Sequence, residues 1–164
     1  MALRMTGREW RLLAGALAGL AVVIQFLPVG APRDNPPLRD EPRWSSPRTR
    51  DLFFRSCSDC HSNQTRWPWY ARVAPVSWLV AHDVQGGRSH LNVSEWNRPQ
   101  KDADEAAEEL RDGKMPLRTY LLAHPGARLS PAEKAELIAG LEATFGTRSG
   151  SGRDRERAER DFRR

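Results

Sequence analysis

Cys57, Cys60 and His61 are the residues of this chain best suited to chemistry, standing together as Cys57-Ser58-Asp59-Cys60-His61. Two thiols three positions apart at a helix end can add across the two vinyl groups of one porphyrin. The adjacent imidazole then supplies a nitrogen to the iron. This is the Cys-x-x-Cys-His arrangement of c-type haem attachment. It uses both cysteines of the chain, so it predicts one covalent haem c, with thioethers from Cys57 and Cys60 and His61 as proximal ligand. A thioredoxin-like pair would sit at a strand-to-helix turn in a βαβ unit, and no such alternation is visible. A structural zinc site normally has four ligands.

Met115 is the candidate for the sixth position. Gly113-Lys114-Met115-Pro116 lies 54 residues after His61, in a predicted loop between helices. Thioether sulfur is a soft donor, and a His/Met pair raises a haem potential. His82, His90 and His124 are the competing donors, and five-coordinate iron is the remaining alternative. Trp67, Trp69, Tyr70, Trp78 and Trp96 are dense around the motif and offer flat surfaces to a macrocycle. Arg66 and Arg88 are candidate partners for its propionates.

Several elements must position these groups. Residues 12–29 are apolar apart from Gln25, close to the roughly 20 residues a bilayer-crossing helix needs. Arg4, Arg8 and Arg11 precede them, so residues 1–11 are predicted to be cytoplasmic and everything after the anchor to lie across the membrane. A cleaved signal peptide would place the domain in the same compartment, but Pro32 after Val29-Gly30-Ala31 is a poor residue beyond a cut. Residues 30–45 are proline-rich and read as an extended, semi-rigid linker. Residues 147–164 form a charged tail, predicted to be mostly disordered.

Residues 46–146 carry helical punctuation. Ser46-Pro47 opens one helix, with Leu52, Phe53 and Cys57 on one face. Ala74-Pro75 opens a second, with Val76, Leu79, Val80 and Val84 aligned and Gly86-Gly87 closing it. Asp102–Asp112 is a third, ended by Gly113. Ser130-Pro131-Ala132-Glu133 is a capping box for a fourth, with Leu137, Ile138, Leu141 and Phe145 on one stripe and Gly146 as terminator. The fold class predicted is all-α, a small helical domain around one haem.

The net charge of +5 does not imply a nucleic-acid surface. The tail has seven Arg against four acids and the first eleven residues three Arg against Glu9, which together supply the whole surplus.

The blocks Cys57-Ser-Asp-Cys-His-Ser-Asn-Gln-Thr-Arg-Trp-Pro-Trp-Tyr70, Val73-Ala-Pro-Val-Ser-Trp-Leu-Val-Ala-His-Asp83, Gly87-Arg88, His90-Leu-Asn-Val-Ser-Glu-Trp96 and Gly113-Lys-Met-Pro-Leu117 resemble the bacterial haem-binding domain family. That family comprises membrane-tethered, cytochrome-c-like, single-haem domains. The resemblance spans residues 45–145. It implies haem at Cys57, Cys60 and His61 and makes Met115 the natural distal ligand; Val93 stands where an aromatic is expected. The function expected is electron transfer by a periplasmic, single-pass protein of the bacterial inner membrane, a carrier and not a catalyst. Its expected partners are a membrane or periplasmic oxidoreductase and the cytochrome c maturation machinery, with no nucleic acid. A ligand-binding or sensing haem module with an open or displaceable sixth position is the alternative.

Overall fold

Helix-forming signals dominate the chain, and the computed structural model, which describes residues 6–27, 29–30 and 32–147, follows them. Among the described residues there are seven α-helices and no strand: α1 (Gly7–Val23), α2 (Pro47–Ser56), α3 (Ser58–His61), α4 (Val76–His90), α5 (Ala106–Arg111), α6 (Arg118–Ala123) and α7 (Pro131–Phe145). The all-α expectation holds. Arg4, Pro28, Ala31 and the tail from Arg148 onward lie outside the described residues. The chain divides into two compact units. One comprises Met1–Arg33 and Trp67–Asp83, the other Asp34–Arg66 and Val84–Arg164, so the division falls within α4.

In the first unit, Thr6 caps α1 and forms a capping box with Glu9. The helix and the turn that follows it, Gly7–Phe26, are long and apolar enough to cross a membrane, and none of this span is buried. At its end the Gln25 side chain donates to the Ala74 carbonyl (3.2 Å) and accepts from the Ala74 N–H (2.9 Å). These two hydrogen bonds satisfy a backbone unit just ahead of α4.

Two readings of α4 are corrected. Its buried side is Ser77, Ala81 and Val84, spaced four and three apart, while Val76 and Leu79 are exposed. Small residues let a neighbour approach, so they take the inner face and the bulkier aliphatics are left outside. Nor does Gly86-Gly87 close the helix, which continues to His90. Neither glycine has a positive φ, so the backbone there is ordinary helix.

In the second unit, Ser46 accepts from Thr49 N–H and Pro47 takes the first turn of α2, where its missing N–H costs nothing. Ser130 and Glu133 cap α7 reciprocally, and Gly146, at φ +82°, ends it. Helix α7 packs on both α2 and α5. Leu52, Phe53, Leu91, Val93, Ala107, Leu110, Leu137 and Leu141 form the core. Each large member contributes about 1.5–3 kcal/mol by leaving water. Gly140 explains the closeness of α2 and α7: a Cβ there would lie 2.2 Å from Thr49 Oγ1.

The second half of the proline-rich segment is bound to this unit. Arg39 N–H donates to the Ser94 carbonyl and Trp96 N–H to the Asp40 carbonyl. Glu41 takes two hydrogen bonds from Arg50. The Trp44 ring packs against Phe53 and Phe145. One aromatic among the prolines converts spacer into structure.

Candidate functional site

Helix α3 is a single turn, and that brevity places the motif. Cys57 is its N-cap and His61 its last residue; the Cys57 carbonyl accepts from the N–H groups of Cys60 (3.2 Å) and His61 (3.0 Å). Residues three apart on a helical turn share a side, so both sulfurs are presented together. No disulfide joins them, and each side chain is partly exposed. Cys57 also packs on the core cluster. Burial, then the neighbouring Cys60, pushes its thiol up to about 12. A dithiol redox catalyst needs the opposite, a thiol pulled down towards neutrality.

His61 is oriented from Leu91. Its Nδ1 lies 3.0 Å from the Leu91 carbonyl, which can only accept, so Nδ1 carries the proton and Nε2 keeps its lone pair. The His61 carbonyl in turn accepts from Val93 N–H at 2.9 Å, so the 91–93 segment holds both side chain and backbone. Burial pushes the imidazole below its ordinary pKa and keeps it neutral; the Leu91 and Gly87 carbonyls oppose that shift and His90 adds to it. Neutral imidazole with a pinned Nδ1–H is the form that binds a metal.

Three supports around the motif were not legible in the sequence. Gly87 is one: a Cβ there would meet the Cys60 carbonyl oxygen at 2.5 Å and Cys60 Cβ at 2.9 Å. Helix α4 therefore lies against the motif backbone, and glycine is present for contact, not as a terminator. Arg88 is the second. Its guanidinium donates to the Ser62 carbonyl (2.9 Å), Thr65 Oγ1 (2.9 Å), the Asp34 carbonyl (3.1 Å) and Asn35 Oδ1 (3.1 Å). Arg88, one of the two candidate propionate partners, clamps the chain leaving the motif. Asp59 is the third. Buried between the cysteines, it accepts from Tyr120 Oη (2.8 Å) and Arg66 N–H (3.0 Å). Burial, then the Asp59 charge, raises the Tyr120 pKa and keeps the phenol a donor.

The two blocks His61-Ser-Asn63 and Leu91-Asn-Val-Ser-Glu95 also interlock. Asn92 donates to Asn63 Oδ1 (2.8 Å), Asn63 N–H to Ser94 Oγ (3.0 Å) and Asn63 Nδ2 to Glu95 (2.9 Å). Val93, where an aromatic was expected, is completely buried in the core.

Met115 sits in the turn after α5, as expected, half-buried, with its N–H donating to the Glu109 carbonyl. Gly113, at φ +71°, turns the chain there. Of the competing histidines, His82 is exposed on the first unit and His90, the last residue of α4, is exposed and paired with Asp102. His124 stacks on Tyr120 and bonds the Tyr120 carbonyl through Nδ1. It lines a cleft of about 410 Å³ together with Asp59, Arg55, Arg66 and Tyr120. Of the aromatics near the motif in sequence, Trp67, Trp69, Tyr70 and Trp78 belong to the first unit. Trp96 belongs to the second and stacks on Phe145.

A family model, the haem-binding domain, matches residues 19–143, most of the chain. The chain belongs to the haem-binding domain family. No curated protein and no solved structure matches it. The site suits the group this domain binds. A neutral imidazole with its Nε2 lone pair available stands beside two cysteines that no disulfide joins, a donor set matched to haem.

Proposed function

We propose that this haem-binding domain carries one covalent haem c, bonded through Cys57 and Cys60 with His61 as proximal and Met115 as distal ligand, and that it transfers single electrons. The observation that carries the reading is the pairing of one-turn helix α3 with the Leu91 carbonyl: two cysteines three positions apart about one turn, and an imidazole whose Nδ1 is occupied and whose Nε2 is left to bind. When bound, the haem iron would supply a ferrous–ferric couple, and ligation by His61 and Met115 would raise its potential. The protein's own part is positional. The Leu91 carbonyl fixes the ring and increases its basicity, Asp59 and Tyr120 brace the residues between the cysteines, and Arg88 holds the segment that leaves the motif.

The apolar stretch of α1 from Leu12 onward, with Arg8 and Arg11 in the turns before it, supports a single-pass anchor with the domain on the periplasmic side of a bacterial inner membrane. Tethering keeps the domain near a membrane or periplasmic oxidoreductase, the class of partner proposed, and its haem would be installed by the cytochrome c maturation machinery. His124 is the second candidate for the distal position, favoured by its place in the cleft beside Asp59.

A pyridine haemochrome spectrum of the denatured full chain tests the attachment: it is expected to show haem c at one per chain, with loss of the covalent product in Cys57→Ala and Cys60→Ala. A colourless, folded preparation from cells that mature c-type cytochromes would reject the proposal. For the distal ligand, Met115→Ala is expected to lower the potential and let the ferrous protein bind carbon monoxide. If His124→Ala does this instead, His124 is the ligand. If the unaltered protein binds carbon monoxide rapidly and stoichiometrically, a sensing module replaces the electron carrier.

A further inference from the structure

The first unit places an apolar surface at the exit of the candidate membrane span. Phe26, 81% exposed, ends that span, and Leu27 and Val29 continue it in the open. The two hydrogen bonds between Gln25 and the Ala74 backbone fix the 67–83 segment at the same end. On that segment Trp69 is 78% exposed, and Val73, Val76 and Leu79 are exposed with it. Four large apolar side chains open to solvent within eleven residues are more than a water-facing segment accounts for.

The pattern along α4 sharpens this. Its exposed positions begin with Val76 and Leu79 and pass to His82, Gln85, Ser89 and His90, so the apolar character is confined to the end tied to Gln25. Between the span and the patch lies a cleft of about 280 Å³ lined by Gln25, Arg33, Arg72, Ser77 and Trp78 among others. It offers two cationic groups beside an indole. Tryptophan prefers the headgroup level of a bilayer, and arginine pairs with lipid phosphate.

We infer that the Trp69–Leu79 face is an interfacial membrane-contact surface: Trp69, Val73, Val76 and Leu79 enter the headgroup region of the bilayer that α1 crosses, and Arg33 and Arg72 meet its phosphates. The inference rests on the reading of α1 as a membrane anchor. The first unit is then held to the membrane at two places, and its motion is restricted beyond what a single tether imposes.

The test uses the full-length protein in vesicles of phosphatidylethanolamine and phosphatidylglycerol, with p-benzoylphenylalanine placed singly at Leu17, Trp69, Leu79 or Gln85. On illumination, lipid adducts are expected at Trp69 and Leu79 in yield comparable to Leu17 in the span, with loss of the adduct at Gln85. Adducts at Leu17 without adducts at Trp69 and Leu79 would overturn the inference and leave the anchor intact. Equal labelling at Gln85 would overturn it too, as would a protein adduct in place of lipid at Trp69, which would mean that another polypeptide covers the patch. Absence of lipid adducts at Leu17 as well would remove the anchor and the inference with it.

Discussion

Two adjacent glycines in one helix are expected to respond to the same substitution with opposite signs. Gly86 and Gly87 both lie inside α4 with ordinary helical backbone. In an unobstructed helix interior, glycine to alanine stabilises by about 0.8–1 kcal/mol. A Cβ on Gly86 meets nothing within 4 Å, so Gly86→Ala should show that gain. A Cβ on Gly87 would lie 2.5 Å from the Cys60 carbonyl oxygen and 3.0 Å from its carbon. Ordinary contact begins near 3.4 Å, so about 0.9 Å of separation must be found. The obstructing atoms are backbone, which no rotamer change can withdraw. Overpacking of this kind costs about 1–3 kcal/mol. Because the helix-propensity gain is common to both variants, the difference between them isolates the clash and should be about 1–3 kcal/mol, with Gly87→Ala the less stable. Urea unfolding of the full chain in detergent, followed by far-ultraviolet circular dichroism, measures both midpoints. Haemochrome quantification of the same preparations reports whether displacing Cys60 also impairs haem attachment. Equal midpoints, or a more stable Gly87→Ala, would refute the claim that α4 rests on the motif backbone.

Three further outcomes follow from the second unit. Leu137 is fully buried in the core, so Leu137→Ala should lower unfolding free energy by about 2–5 kcal/mol in the same assay. Tyr120→Phe removes the hydroxyl donor to the buried Asp59 carboxylate; a loss of about 1.5–3 kcal/mol is expected, with covalent haem retained. The Glu133 carboxyl is held down to about 2, first by the Ser130 N–H and then by Arg55. A depressed carboxylate stabilises above its unfolded value of 4.5, and that contribution fades as pH falls from there towards about 2. The stability gap between the unaltered protein and Glu133→Gln should therefore close over that window when urea midpoints are compared across pH. A gap independent of pH would contradict it.

The readings that succeeded were of local rules. The caps at Ser46 and Ser130 and the terminators Gly113 and Gly146 each depend on residues within a few positions, and each stands where it was placed. The stripe of α7 was legible because Leu137 and Leu141 have no competing apolar face. Helix α4 has two such faces, and periodicity cannot choose between them. Packing chose the smaller residues, Ser77 and Ala81, and left Val76 and Leu79 outside.

What the sequence by itself determined is the donor set: two thiols and an imidazole in adjoining positions of one turn, downstream of an apolar span, with the helix ends around them. Only the tertiary structure decided how those donors are held. The carbonyl that fixes His61 is 30 residues away, the phenol that braces Asp59 is 61, and the guanidinium that clamps Ser62 is 26. The physical reason lies in range. Capping and turn preferences act through the chain's own next few bonds, whereas a donor for a buried carboxylate or an acceptor for a ring nitrogen is satisfied by whichever group folding brings near, and no local pattern records which one that is.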